Sequence, residues 1–326
     1  MHTDNGKIVL SRNGIRDMTD GQGKVIITGV SGMVGFHLAE RLCRLHPHTE
    51  VVGICRHDGR NVEDLLEHPN FRFVAADILE PSCYESELVG TDTLYHLAAQ
   101  SAVFKGRLDP LSDLRANVQG TMQLALCAAT AGVRKVVFTS GCAVYVSQDR
   151  VSEDQVGQPP SVYGASKLAA ENYLRVIGDT RGFRYTILRL SRVYGPRMTR
   201  GALWDLAQDL KAGREGDIFA HPDSVFDFIY VRDVVDALVL AAGQEWDGVT
   251  ANISSAEGTW LRDLHARFEV MTGRTIPLKK REGTPVVETV LNDRARALGW
   301  VPSYSLHEGM AETLAWLLPD LCRQGY

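Results

Sequence analysis

Short apolar, β-branched runs recur along the chain, each followed by room for a helix: Val25-Ile26-Ile27, Val51-Val52-Gly53-Ile54, Phe71 to Ala76, Thr93 to Leu97, Val136 to Ser140 and Tyr185 to Leu190. Strands that are apolar at successive positions are covered on both faces. Between them the pattern changes to a helical period, as in Phe36-His37-Leu38-Ala39-Glu40-Arg41-Leu42. Regular alternation of the two predicts an α/β fold built on a doubly wound parallel sheet. Residues 1–23 break the pattern. They are polar and glycine-punctuated around one apolar patch, Ile8-Val9-Leu10, and read as a loosely ordered extension with no assigned function.

Length and charge narrow the class. A chain of 326 residues can bury a large core and still build a second, smaller domain. Its net charge of -5 gives no basic footprint for nucleic acid or an anionic membrane, so a small-molecule partner is expected. The six cysteines (Cys43, Cys55, Cys83, Cys127, Cys142, Cys322) are scattered, with no C-x-x-C and no His pair at ligand spacing. That argues against disulfides and against a metal site, and it points to a reducing cytoplasm. No apolar run approaches the ~18 residues of a membrane span and no signal-peptide core opens the chain, so a soluble, unprocessed protein is expected.

The chemistry begins where the first strand runs into Thr28-Gly29-Val30-Ser31-Gly32-Met33-Val34-Gly35 and then a helix. Glycines spaced in this way permit a tight turn, a close backbone approach to a pyrophosphate and close helix-strand packing, while the helix N-terminus holds the phosphates. Gly29, Ser31, Gly32, Met33, Val34 and Gly35 are therefore expected to bind a dinucleotide. The second strand ends at Cys55-Arg56, where an NAD site usually carries an acid for the ribose 2′-hydroxyl. An arginine can instead pair with a 2′-phosphate, which favours NADP, with NAD as the alternative if Arg56 is merely solvated. Asp77 and Ile78 after the third strand suit an adenine amino group and ring. Leu97, Ala98, Ala99 and Gln100 after the fourth, and Thr139 at the end of the fifth, leave room for the cofactor, with Ser101 toward the substrate.

Ser161-Val162-Tyr163-Gly164-Ala165-Ser166-Lys167 opens a later helix and sets a phenol and an ammonium one turn apart. A phenol is a poor base at neutral pH, but a nearby lysine cation favours the phenolate. Tyr163 is the expected acid/base and Lys167 its partner.

Several further marks stand in order along the chain: His96-Leu97-Ala98-Ala99-Gln100-Ser101, Val193-Tyr194-Gly195-Pro196, Asp227-Phe228-Ile229-Tyr230-Val231, Leu298-Gly299-Trp300-Val301-Pro302 and Ser305-Leu306-His307-Glu308-Gly309. With the spaced glycines and the Tyr163–Lys167 pair, the chain resembles an extended short-chain dehydrogenase/reductase of the nucleotide-sugar epimerase/dehydratase branch, from Lys24 almost to the C-terminus. The resemblance implies a Rossmann sheet of seven parallel strands in residues 24–190 plus about 225–250, and a substrate-binding domain from 191–224 and 251–326. It also implies Lys167 on the nicotinamide ribose, and a homodimer joined through the Asn117 and Tyr163 helices.

Departures from the family pattern qualify what is carried over. The site serine or threonine is replaced by Gly141, so Ser140 or a water is expected to supply that hydroxyl, with Gly141 facing the substrate. Cys142 and Ala143 stand where the 4,6-dehydratases carry an Asp-Glu pair, which disfavours elimination of water. Arg192 replaces an asparagine and Phe226 an arginine in the expected diphosphate pocket. Either one cation has replaced the other, or Arg192 meets a different anion, or it pairs with an acid structurally. The function expected is an NADP-dependent oxidoreductase moving a hydride to or from a nucleotide-activated sugar. The alternatives are a 4-epimerase with tightly held NAD and, from another class, a catalytically silent dinucleotide-binding redox sensor.

Overall fold

The computed structural model describes residues 2–4, 7–9, 23–56, 61–155 and 157–319. β1 (His2–Asp4) pairs antiparallel with β2 (Lys7–Val9), where the sequence suggested a loose extension; residues 1, 5–6 and 10–22 lie outside the described residues. The apolar runs form β3 (Lys24–Thr28), β4 (Glu50–Cys55), β5 (Phe71–Ala75), β6 (Thr93–His96), β7 (Lys135–Gly141) and β8 (Arg184–Leu190), joined by β11 (Thr250–Ile253). They make the expected seven-stranded parallel sheet, in the order β11-β8-β7-β6-β3-β4-β5. The chain builds outward from β3 in one direction and from β6 in the other, so the crevice at their C-terminal ends is the switch point where such sheets bind ligands.

Alternation along the strands assigns the two faces. Val25 and Ile27 pack with Leu38 and Leu42 of α1 (Met33–Leu45) and Val234 and Leu238 of α7 (Val231–Leu240). Ile26, Leu94 and Phe138 pack on the other side with Leu124 of α4 (Gly120–Thr130) and Ala170 and Leu174 of α5 (Val162–Arg181). A second core gathers Tyr194, Leu206, Phe226, Tyr230, Leu264, Phe268, Met310 and Leu314. Its frame is α6 (Ala202–Lys211), α8 (Leu261–Thr272), α10 (Leu306–Leu317) and a small sheet centred on β10 (Val225–Tyr230), which pairs with β9 (Arg192–Tyr194), β12 (Gly258–Trp260) and β13 (Val287–Glu288).

The later sequence marks are the joints between these two cores. Asp227 is buried in β10 and accepts from Ser191 Oγ at 3.0 Å, Ser255 N at 2.9 Å and Ala256 N at 3.0 Å, gathering two segments onto one carboxylate. Asp233, buried in α7, accepts from Ser303 N at 2.7 Å while its carbonyl takes the indole N–H of buried Trp300 at 3.0 Å. Ser305 and Glu308 close a capping box on α10. Gly309 follows because a β-carbon there would lie 2.3 Å from Tyr194 Oη. Among the described residues no helix is long and apolar enough to cross a membrane, and no group of three or more His, Cys, Asp and Glu could hold a metal.

Candidate active site

At the end of β3 the backbone turns through Gly29, whose φ of 76° and whose approach to the next strand both exclude a side chain: a β-carbon would stand 2.8 Å from Ala98 N. Gly35 is equally constrained, with a would-be β-carbon 2.4 Å from Gly29 O. Gly32 caps α1 without any side-chain hydrogen bond, and the first turn carries no acid. The leading N–H groups of the helix are thus left for an anion, and the glycines let backbone pass where side chains would block its approach. These residues fit a dinucleotide.

The floor beside that turn is a hydrogen-bond chain with assignable protons. Thr121 Oγ donates to Asn117 O at 2.6 Å, so its 2.9 Å contact with His96 Nε2 must use the ring proton. His96 is therefore the Nε2–H tautomer, and its Nδ1 accepts from Thr28 Oγ at 2.8 Å, which in turn accepts from Ala98 N at 3.2 Å. Burial pushes His96 down to about 3, so it is a neutral strut. The segment Arg115–Gln119 between α3 (Pro110–Leu114) and α4 is a π-turn, and it carries Asn117. The Asn117 side chain accepts from Gln100 N at 2.8 Å and donates to Gln100 O at 3.0 Å, Asp113 Oδ1 at 3.1 Å and Ser166 Oγ at 3.0 Å. Ser166 donates on to Tyr163 O at 2.9 Å. One buried amide thus ties the β6 exit to the first turn of α5.

Helix α5 starts where Ser161 accepts from Gly164 N at 3.0 Å, and Tyr163, Lys167 and Glu171 share its inward face. Burial costs both charged forms here. It raises the Tyr163 phenol to about 12, opposed chiefly by Arg200, and it lowers the Lys167 ammonium to about 7, opposed by Glu171 and Asp113. In the free protein the cation that opposes burial at Tyr163 is Arg200, while Lys167, lowered to about 7, is divided between its charged and neutral forms at neutral pH. Lys167 Nζ rests 4.0 Å from the Phe138 ring centroid. Behind it, Glu171 accepts from Arg189 at 3.0 and 2.7 Å and from Arg175 at 3.0 Å, and Arg189 reaches Tyr145 Oη at 2.8 Å.

The positions that depart from the family pattern also resolve. A β-carbon on Gly141 would lie 3.6 Å from Tyr163 Oη, and the residue's φ of -149° is ordinary extended backbone. Ser140 is turned the other way: buried on the face packed by α4 and α5, its hydroxyl faces Glu171 and helps hold that carboxyl below its usual range. Ser140 is thus the expected catalytic residue that the fold does not bring to the phenol, because neighbours on a strand point to opposite faces. Ser101 does reach the mouth, where its hydroxyl accepts from Arg200. Arg192 lies against the neighbouring rings of Phe219 at 4.8 Å and Phe226 at 3.9 Å and bonds Glu288 at 3.3 Å, so part of its charge is met by an acid. Arg56, at the end of β4, is exposed and lies 3.9 Å from Asp77.

The NAD dependent epimerase/dehydratase family model matches residues 25–254. This chain belongs to that family. It is 34% identical over 311 residues to a UDP-glucose 4-epimerase of Mycolicibacterium smegmatis, covering 89% of this chain and 97% of that one. Among solved structures it is similar to the UDP-glucose 4-epimerase of Thermotoga maritima with UDP-glucose (28% identity, TM-score 0.83, 91% and 99% covered). The UDP-glucuronic acid 4-epimerase of Bacillus cereus, in complex with UDP-glucuronic acid and NAD, gives 26% identity and a TM-score of 0.85 with 91% and 99% covered. Membership makes the chain an enzyme that uses a nicotinamide dinucleotide, rather than a silent sensor.

Within this epimerase/dehydratase site the sequence reading missed Asp113, Ser166, Glu171 and Arg189. One signal was available: Glu171 follows Lys167 by four residues and Tyr163 by eight, which puts a carboxylate on the buried stripe of the helix. The rest depends on tertiary contacts.

Two outcomes follow from the geometry. Because Lys167 is depressed from its usual 10.5 to about 7, the unfolded chain binds more protons than the folded one between those values, so stability rises with pH across that window. Lys167→Met should abolish that rise, worth about 1 kcal/mol per pH unit between pH 7 and 10, in urea melts of the cofactor-free protein. Parallel pH dependences in the two proteins would mean that Lys167 is not desolvated. Gly141→Ser places a hydroxyl at the phenol without backbone strain, so turnover should be kept or raised; a folded variant more than tenfold slower would show that the space itself is needed.

Proposed function

We propose that this chain is an NAD-dependent epimerase acting at C4 of a nucleotide-activated hexose. The observation that carries the reading is a site with a single acid/base, Tyr163, at the open end of β7. Where a second pair would stand, Cys142 is buried with its thiol turned to Arg189 O at 3.6 Å, and Ala143 has no titratable group. One acid/base suffices for removing and returning a hydride at one carbon, whereas eliminating water needs more. A reductase of the same sugar would use the same atoms; the 4-epimerases among the relatives favour epimerisation. NAD is favoured over NADP because Asp77 already lies beside Arg56, and because NAD is the dinucleotide in the similar Bacillus cereus complex.

In this reading the Gly29–Gly35 turn holds the pyrophosphate, Asp77 and Ile78 the adenine, Leu97 to Gln100 and Thr139 the inner half, and Lys167 the nicotinamide ribose. A bound NAD supplies the hydride acceptor and donor. Tyr163 in its phenolate form, favoured by Arg200 and by a protonated Lys167, would take the proton of the 4-hydroxyl as the carbonyl forms and return it once the sugar has presented its other face. Ser101 and Arg192 line the substrate side. The outward face of α4 and α5 exposes Leu126, Tyr173 and Val176, which supports a homodimer through these helices.

Purified protein should carry NAD by mass spectrometry and should equilibrate UDP-glucose or UDP-glucuronic acid with its C4 epimer. Tyr163→Phe should cost about 10²–10⁴-fold in rate while retaining NAD. Net turnover of added NADP(H) with no epimer formed would replace this reading by the dehydrogenase one. Light scattering should return twice the chain mass; a monomer at micromolar concentration would remove the dimer.

A further inference from the structure

The connection from β9 to α6 opens with a turn that its sequence does not suit. Met198 N donates to Gly195 O at 3.2 Å, Pro196 is second in the turn, and the third residue, Arg197, has a φ of 67°. That is the turn position at which glycine or asparagine is favoured, and a long side chain there is strained. Strain kept at such a position points to a task for the side chain. The two ends of the turn are fixed: a β-carbon on Gly195 would meet Val231 of α7 at 2.4 Å, and Met198 is buried in the second core.

From the tip of the turn the Arg197 guanidinium reaches into the nucleotide-binding half. It lies 3.6 Å from the ring centroid of Phe36 on α1, donates to Asn61 O at 2.6 Å and bonds Asp64 Oδ2 at 3.1 Å. Beside it His37, kept neutral by burial, donates its Nε2 proton to Pro196 O at 3.2 Å. Three residues on, Arg200 bonds Ser101 at the β6 exit. Asn61 and Asp64 follow β4, and β3 lies between β4 and β6 in the sheet. One short connection is therefore tied down on both sides of the glycine turn and across α1, so it bridges the crevice at the end of β3.

We propose that residues 195–201 are a strap over the dinucleotide crevice and that Arg197 is its fastening, so that a bound cofactor leaves only when Arg197 lets go of Asn61 and Asp64. The consequence for the reaction rests on the proposed epimerase reading: an enzyme that returns a hydride to the carbon it came from must keep its cofactor between the two steps, whereas a dehydrogenase must release it in every turnover. The fastening itself does not rest on that reading.

The test reads cofactor exchange apart from any turnover. The full chain, loaded with NAD, is mixed with an excess of isotope-labelled NAD, and the label taken up is followed by mass spectrometry. Arg197→Gly keeps the turn, relieves its strain and removes the ties to Phe36, Asn61 and Asp64; exchange should become about tenfold faster or more, as expected for losing a charge-assisted hydrogen bond. Asp64 is largely exposed, so Asp64→Asn should fold in any case and speed exchange by a smaller factor, since the bond to Asn61 O remains. A role in stability alone would move the melting temperature and leave exchange as it was. Exchange at the wild-type rate in folded Arg197→Gly, or in Asp64→Asn if the first variant does not fold, would overturn the proposal. Faster exchange in a protein that epimerises nothing would sustain this inference and sink the reaction proposed above.

Discussion

The site depends on burying a lysine ammonium under the edge of a parallel sheet. Lys167 is 2% exposed, and a cation taken out of water at that depth survives only if fixed negative charge stands nearby. Glu171 stands one turn further along the same helix, but it cannot be buried alone either, and Arg189 from β8 meets it with two hydrogen bonds. The result is a ladder of alternating sign running from the reactive edge into the core, continued by Tyr145 Oη to Asn252 at 2.8 Å. Removing Glu171 would deprive Lys167 and Arg189 of the carboxylate they share, a more damaging change than losing a surface pair. The ladder also explains why β7 and β8 are polar at Ser140 and Arg189 although both strands are covered.

A second constraint acts at the other end of the crevice, and it is steric. The turn after β3 must pass close enough to the β6 exit that Gly29 nearly touches Ala98, and α1 must approach the same turn through Gly35. The two constraints meet at His96 and Thr28: a neutral histidine, fixed in one tautomer, fastens β3 to β6 and leaves the strand ends rigid on both sides of the switch point.

What was legible in the sequence was whatever repeats locally. Strand runs, the glycine spacing and the Tyr163–Lys167 step are short-range patterns, and each fell where its pattern put it. Ser140, expected to supply the missing hydroxyl, is carried to the opposite face from Gly141 by the alternation of its own strand. What escaped was built from residues far apart in sequence: Gln100 with Asn117, Asn117 with Ser166, Glu171 with Arg189. None has a local signature, and the π-turn that aims Asn117 is a distortion that periodicity smooths over. Arg56 shows the limit of reading one charge at one strand end, since the acid beside it, Asp77, comes from the neighbouring strand's exit.

The marks read as family signatures turn out to be mostly joints. Asp227 and Asp233 are both raised to about 6, chiefly by burial, a cost that hydrogen bonds from Ser255, Ser191 and Ser303 only partly offset. Their partners are loops arriving from the other core, so what these carboxylates specify is the placement of one half of the molecule against the other. That placement decides where Arg192, Phe226 and the Arg200 loop stand relative to Tyr163. The geometry around Tyr163 is thus held by the joints, whatever side chains stand between them, Arg192 and Phe226 included.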